Sequence, residues 1–242
     1  MNGVVARLTL RSLLGRRRAI LLACLPALLL LMAVAIRWMA GPDDDLAGNV
    51  LGHLVAGTMI PLLALIAGTG AIGPEIDDGS IIYLLSKPLS RYRIAVTKFV
   101  AATGVVLVFG VVPTLIAGYV LTGQVSRLAL GFTLGATAAG TAYCALYLAL
   151  AVLSRHAVVI GLLYAVVWES IIGGFVPGAQ ALSVQQWAMS LTQRVIGDQA
   201  AELGAKAAVG LSTGVVLLSV VTVASVWYTG WRLRGLRLTG DE

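Results

Sequence analysis

Glu169 stands about twelve residues into an apolar run, in the stretch YAVVWESIIGG. An ionised carboxylate at that depth costs roughly 2.5–3.5 kcal/mol on insertion scales unless a partner or water meets it. Arg37, near the outer end of the first apolar run, and Arg194 are the cations offered as partners. The acid is either a gating or ligand-binding group, or an acceptor that fixes helix packing. A second constellation is GPEIDDGSIIYLLSKPLSRYRIAVTK, residues 73–98, which sets three acids and four bases between long apolar runs. Other chemistry is thinly represented. His53 and His156 stand alone, without a second ligand at i+3 or i+4, so no metal site is expected. Cys24 and Cys144 fall inside apolar runs and read as small packing residues. Lys87, Lys98 and Lys206 are followed by Pro, Phe and Ala, so the chain has no phosphate-cradling G-x-x-x-x-G-K-[ST] loop.

The elements that must position these residues are membrane helices. Hydrophobic residues make up 59% of the chain and charged ones 12%, with a mean hydropathy of +0.93. That composition excludes a soluble globular domain. Six runs are long enough to cross a hydrocarbon core: 19–40, 51–73, 95–122, 128–153, 157–175 and 207–229. The expected fold is one all-α integral membrane domain over 1–242 with six transmembrane helices. The first run, Ala19–Ile36, is longer than a signal-peptide core and reads as a retained span.

Laying out the six spans with the N-terminus inside puts 13 of the 17 bases on one side and 4 on the other, with the acidic Asp43, Asp44 and Asp45. Both termini are therefore expected in the cytoplasm, in a multi-pass protein of the cell's inner or plasma membrane. The net charge of +6 reads as topology and contact with membrane lipids. No nucleic-acid partner is expected, since no basic and aromatic groove is visible.

Residues 74–94 then form the longest inward-facing loop. Pro74 suits a first helical turn, where Glu75, Asp77 and Asp78 meet the positive end of the dipole. Ser80 caps a short helix, Ile81–Ser86, which ends because Pro88 biases Lys87 away from helical geometry. Ile81, Leu84 and Leu85 share one face. Ser90 caps a third helix opened by Arg91, Tyr92, Arg93 and Lys98. By physics alone this is either a loop resting on lipid head groups or a knob for a cytosolic partner.

Elsewhere, Arg7, Arg11 and Arg18 fall at helical spacing opposite Val4 and Leu8, which predicts an amphipathic elbow helix over 1–18. About thirty residues separate the fifth and sixth runs. There Ser183 and Gln186 form a capping box, and Val184, Trp187, Ala188, Leu191 and Val195 mark an apolar face. Short helices dipping into the outer leaflet over 176–206 are expected, or an ordinary surface helix. Gly131 with Gly135 reads as a close packing face, and Pro113 as a kink.

The order Glu75, Gly79-Ser80, Leu84-Leu85, Lys87-Pro88, Ser90-Arg91, Lys98 resembles the cytoplasmic signature of ABC-2 type transporter permeases. The likeness is to the branch associated with multicopper enzyme maturation and small-molecule export. The chain departs from it in Ser80 for Thr, Thr97 for Gly and Pro74 for Glu. The order of Tyr164, Trp168 and Glu169 is also similar to some members.

The resemblance implies a permease subunit of an ATP-driven exporter. A second permease, identical or paralogous, would complete a dimer around a central pathway, and each would join a cytosolic ABC ATPase subunit carrying ATP and Mg. This chain would then be no enzyme by itself and hold no cofactor. The short loop helix would act as the coupling element through Glu75, Asp78, Ile81, Leu84, Leu85, Lys87, Pro88 and Arg91. Glu169, Trp168 and Arg37 would be pathway or gating residues. The family also implies re-entrant outer helices, with Gly173, Gly174, Pro177 and Gly178 supplying the bend. An apolar pathway suits a hydrophobic or amphipathic substrate. An ion-coupled secondary transporter or a non-transporting accessory protein is the alternative.

Overall fold

The computed structural model describes residues 3–79, 90–172 and 180–235. Among them every regular element is helical. The helices are α1 (Gly3–Leu13), α2 (Arg16–Ala40), α3 (Asp44–Asn49), α4 (Ile60–Gly70), α5 (Gly73–Asp77), α6 (Arg91–Val106), α7 (Val112–Thr122), α8 (Arg127–Leu153), α9 (Ala157–Leu163), α10 (Val184–Ile196) and α11 (Leu211–Gly235).

Three wider π-helical stretches join or extend these pieces: Val50–Met59 between α3 and α4, Leu107–Val111 between α6 and α7, and Tyr164–Ile172 after α9. The first two stop immediately before a proline-bearing turn, since Pro61 and Pro113 each occupy the first turn of the helix that follows. A proline has no N–H to give the carbonyl four residues back, so the ladder slips to i→i−5 bonds there. Thus Ile60 N donates to Val55 O and Val112 N to Leu107 O. At Pro113, where a kink was expected, the helix carries this widened stretch.

Five continuous helices are long and apolar enough to cross a membrane: Arg18–Ala40, Asp44–Ile76, Arg91–Thr122, Arg127–Leu153 and Leu211–Gly235. At the expected span 157–175 stands a shorter apolar helix, Ala157–Glu169, which is not among these five, and residues 173–175 of that run lie outside the described residues. The hub is α8, with 61% of its most apolar window buried, whereas the windows of α2 and α11 are 22% and 11% buried. Around α8 pack α4, α10 and α11, while α2 lies on α7 and α1 on α6. Leu31, Val34, Val216 and Val223 project outward, as apolar side chains do where lipid is the solvent.

The first helix forms, but it buries a different face from the expected one. Val5, Thr9 and Leu13 are inward, and Leu8 is 55% exposed. Thr9 returns its hydroxyl to Val5 O at 2.9 Å, so this threonine packs as an apolar residue would.

Candidate functional site

Glu169 sits on the π-helical stretch that follows α9 and is 2% exposed. On an α-helix, residues five apart point about 140° away from each other. The wider turn narrows that angle, and Tyr164 donates its hydroxyl to Glu169 Oε1 at 2.9 Å. Further donors come from the start of α10. The Ser183 hydroxyl donates to Oε2, Val184 N donates to Oε1 at 3.0 Å, and Gln185 N reaches Oε2 at 3.4 Å. Ser183 Oγ in turn accepts from Gln186 N at 3.3 Å. Two side chains thereby satisfy the first N–H groups of α10, which its own ladder leaves open.

The expectation that Arg37 or Arg194 balances Glu169 is corrected. The carboxylate is met by the dipole of a helix start, which favours negative charge and brings no second ion to desolvate. Arg37 lies instead against Gly123, the left-handed residue ending α7. A Cβ added there would stand 2.9 Å from its guanidinium, so only glycine admits it. Arg194 faces an outer cleft of about 490 Å³ shared with Asp198. Trp168 is half-buried beside Glu169.

The position of α10 follows from glycines. A Cβ on Gly135 would collide with the Thr192 side chain, and one on Gly131 would come within 3.0 Å of Ile196. Thr192 donates to Gly131 O at 3.1 Å. Gly131 and Gly135 are thus a packing face, as expected, and the element they receive is α10. On its other side, Gly214 of α11 admits Ser190. Held from both sides, α10 buries Met189, Ser190, Thr192 and Ile196 as well as the expected Val184, Trp187 and Ala188.

Behind Glu169 stand stacked Tyr143 and Tyr147, with centroids 5.9 Å apart, and Tyr164 meets Tyr147 edge-on at 6.4 Å. Tyr143 and Tyr147 are fully buried, and their hydroxyls have no hydrogen-bond partner among the described residues. Within those residues no group of three His, Cys, Asp or Glu side chains gathers as a metal site.

The second site lies where α4 ends. Pro74 sits in the first turn of α5, as its chemistry predicts, followed by Glu75. Lys98 Nζ donates to Glu75 Oε1 at 2.7 Å and to Ala71 O at 2.6 Å. The lysine side chain is 0% exposed and the glutamate 27%. Arg18 Nη1 reaches the adjacent carbonyl, Gly70 O, at 3.2 Å. Two bases from different helices therefore cap the negative end of α4.

Close by, the Arg234 guanidinium lies 4.5 Å from the Tyr92 ring centroid. Asp78 is exposed and Arg91 half-buried, while Ile81, Leu84, Leu85, Lys87 and Pro88 lie outside the described residues. Ser90 precedes the helix it was expected to cap, without a side-chain bond to it.

Sequence reasoning treated Lys98 as a surface base. The available signal was its place beyond Ala95, inside an apolar run. Ser183 was read as a cap, but nothing in the spacing linked it to an acid fourteen residues earlier.

A family model described as ABC-2 family transporter protein matches residues 43–229, a span that includes Glu75 and Glu169. No curated protein matches the chain.

Proposed function

Because the chain belongs to the ABC-2 family of transporter proteins, we propose that it is the permease subunit of an ATP-driven exporter that moves a hydrophobic or amphipathic substrate outward. ATP and Mg are bound on a separate cytosolic ATPase subunit, and a second permease, identical or paralogous, completes the pathway. The protein lies in the inner or plasma membrane with both termini in the cytoplasm. The helix starting at Ala157 is its sixth span, α1 is an elbow on the inner leaflet, and membrane lipids surround α2 and α11.

The observation that carries this reading is the clamp at the base of the charged loop. Glu75 is tied to Lys98 at 2.7 Å, and the same lysine holds the last carbonyl region of α4 through Ala71. A loop so anchored moves the ends of two membrane helices when a partner pushes it, through Asp78, Ile81, Leu84, Leu85, Lys87, Pro88 and Arg91. At the other end α10 acts as a re-entrant arm. Its residue Gln185 shares a small cavity with Ala139, twelve residues into α8, roughly 18 Å along the helix. Glu169 latches that arm, with Trp168 beside it and Arg37, against the end of α7, as further pathway residues.

The test is transport in vesicles containing the permease and its co-purified ATPase. Leu84→Asp and Leu85→Asp are expected to insert normally and to hydrolyse ATP without moving substrate. Wild-type transport by both variants would remove the loop as the lever, and uptake driven by an ion gradient without the ATPase would replace the reading with a secondary carrier.

A further inference from the structure

A cavity of about 500 Å³ opens where α2 begins, α4 ends and α8 turns into α9. Its polar wall holds Arg18, Arg155 and Asp78, and its apolar wall holds Leu21, Leu65 and Val158. The size falls in the range of small-molecule sites, about 300–1,000 Å³.

Two features of the wall point to an anionic group. Arg18 spends one N–H on Gly70 O and keeps the rest of its five donors. Arg155 is exposed and lines the same space, and a pair of guanidinium groups suits the oxygens of a phosphate. Asp78 is the counter-feature, because it repels a headgroup with a second negative charge and attracts an ammonium. The apolar wall runs from this polar rim along membrane-crossing helices, where acyl chains lie.

We propose that this cavity seats one glycerophospholipid with a primary-amine headgroup. Its phosphodiester lies between Arg155 and Arg18, its ammonium faces Asp78, and its chains follow Leu21, Leu65 and Val158. The proposal needs only that the chain lies in a bilayer, so it stands or falls separately from the export reading.

Native mass spectrometry of the purified full chain in neutral detergent tests it, with phosphatidylethanolamine, phosphatidylglycerol and phosphatidylcholine added at equal concentration. One phosphatidylethanolamine is expected to be retained over the other two. Arg155→Gln lowers its retention about tenfold, the effect of one charge-assisted hydrogen bond. Asp78→Asn keeps a bound phospholipid but removes the preference for ethanolamine over glycerol. Arg11→Gln, on the exposed face of α1 and outside the cavity, changes nothing.

Retention by Arg155→Gln equal to wild type would overturn the proposal, as would equal retention of the three lipids by wild type. Displacement by millimolar glycerophosphoethanolamine would also overturn it, by showing a soluble phosphodiester site. Arg155 lies in a surface turn, and an unchanged melting temperature in lipid-free detergent separates lost binding from lost folding.

Discussion

Two acids of this protein, Glu75 and Glu169, solve a similar problem in different ways. Glu75, at the end of the bundle, is paired with a full positive charge on Lys98. Glu169, in the interior of the helical array, is held by one tyrosine, one serine and the N–H groups of a helix start. Near water the glutamate remains 27% exposed, so only the lysine is fully desolvated. Deep in the bundle a second ion would have to be desolvated too, whereas backbone dipoles are present wherever a helix begins. An ion pair therefore joins two helix ends at the periphery, and a carboxylate serves as a cap in the middle.

The largest test of this contrast is Glu169→Leu. Removing the acceptor leaves the Ser183 and Tyr164 hydroxyls and two N–H groups with no acceptor, at about 1–3 kcal/mol for each buried group left unsatisfied. The variant is expected to lose its folded yield in detergent. Glu169→Gln keeps one acceptor oxygen but turns an amide N–H₂ towards donors, so its melting temperature falls by less than that of the leucine variant. If glutamine matches wild type and leucine does too, the cap has no role.

At the other acid, Glu75→Gln leaves a fully buried ammonium, while Lys98→Met leaves a carboxylate partly in water. The glutamine variant is expected to be the less stable of the two, by roughly 1–2 kcal/mol, and the double variant to recover part of the loss. A double-mutant cycle of thermal unfolding reads both effects. Equal losses with no coupling would make the pair incidental.

The smallest effect separates the tyrosines. Tyr164→Phe removes a hydroxyl bonded to Glu169 and is expected to cost about 1 kcal/mol. Tyr147→Phe removes one without a partner and is expected to be neutral or slightly stabilising. The reverse order, measured in the same unfolding assay, would assign the acid's support to the wrong ring.

Much of the frame was legible because hydrocarbon allows few solutions. Uncharged runs give the five long helices within a few residues at most ends, and Pro74 and Ser183 mark helix starts by chemistry that acts locally. What was not legible depends on contacts between distant segments. No spacing rule connects Glu169 to Ser183, because the two stand fourteen residues apart on different helical elements. The buried face of α1 was misread because Thr9 satisfies its own hydroxyl and then packs as if apolar. Lys98 was counted with the surface bases because a lysine at the head of a span usually reaches water. Here the end of α4 offers it a carbonyl and an acid first.

The paired prolines have one more consequence. Pro61 and Pro113 each follow a stretch of widened backbone, and a Cβ on Gly110, within the second stretch, would meet Ile60 at 2.9 Å, next to the first proline. The two interruptions therefore lie side by side at one level. At that level each rod lacks the one backbone hydrogen bond that its proline nitrogen cannot make, so bending either rod there would cost less than bending it through an uninterrupted ladder.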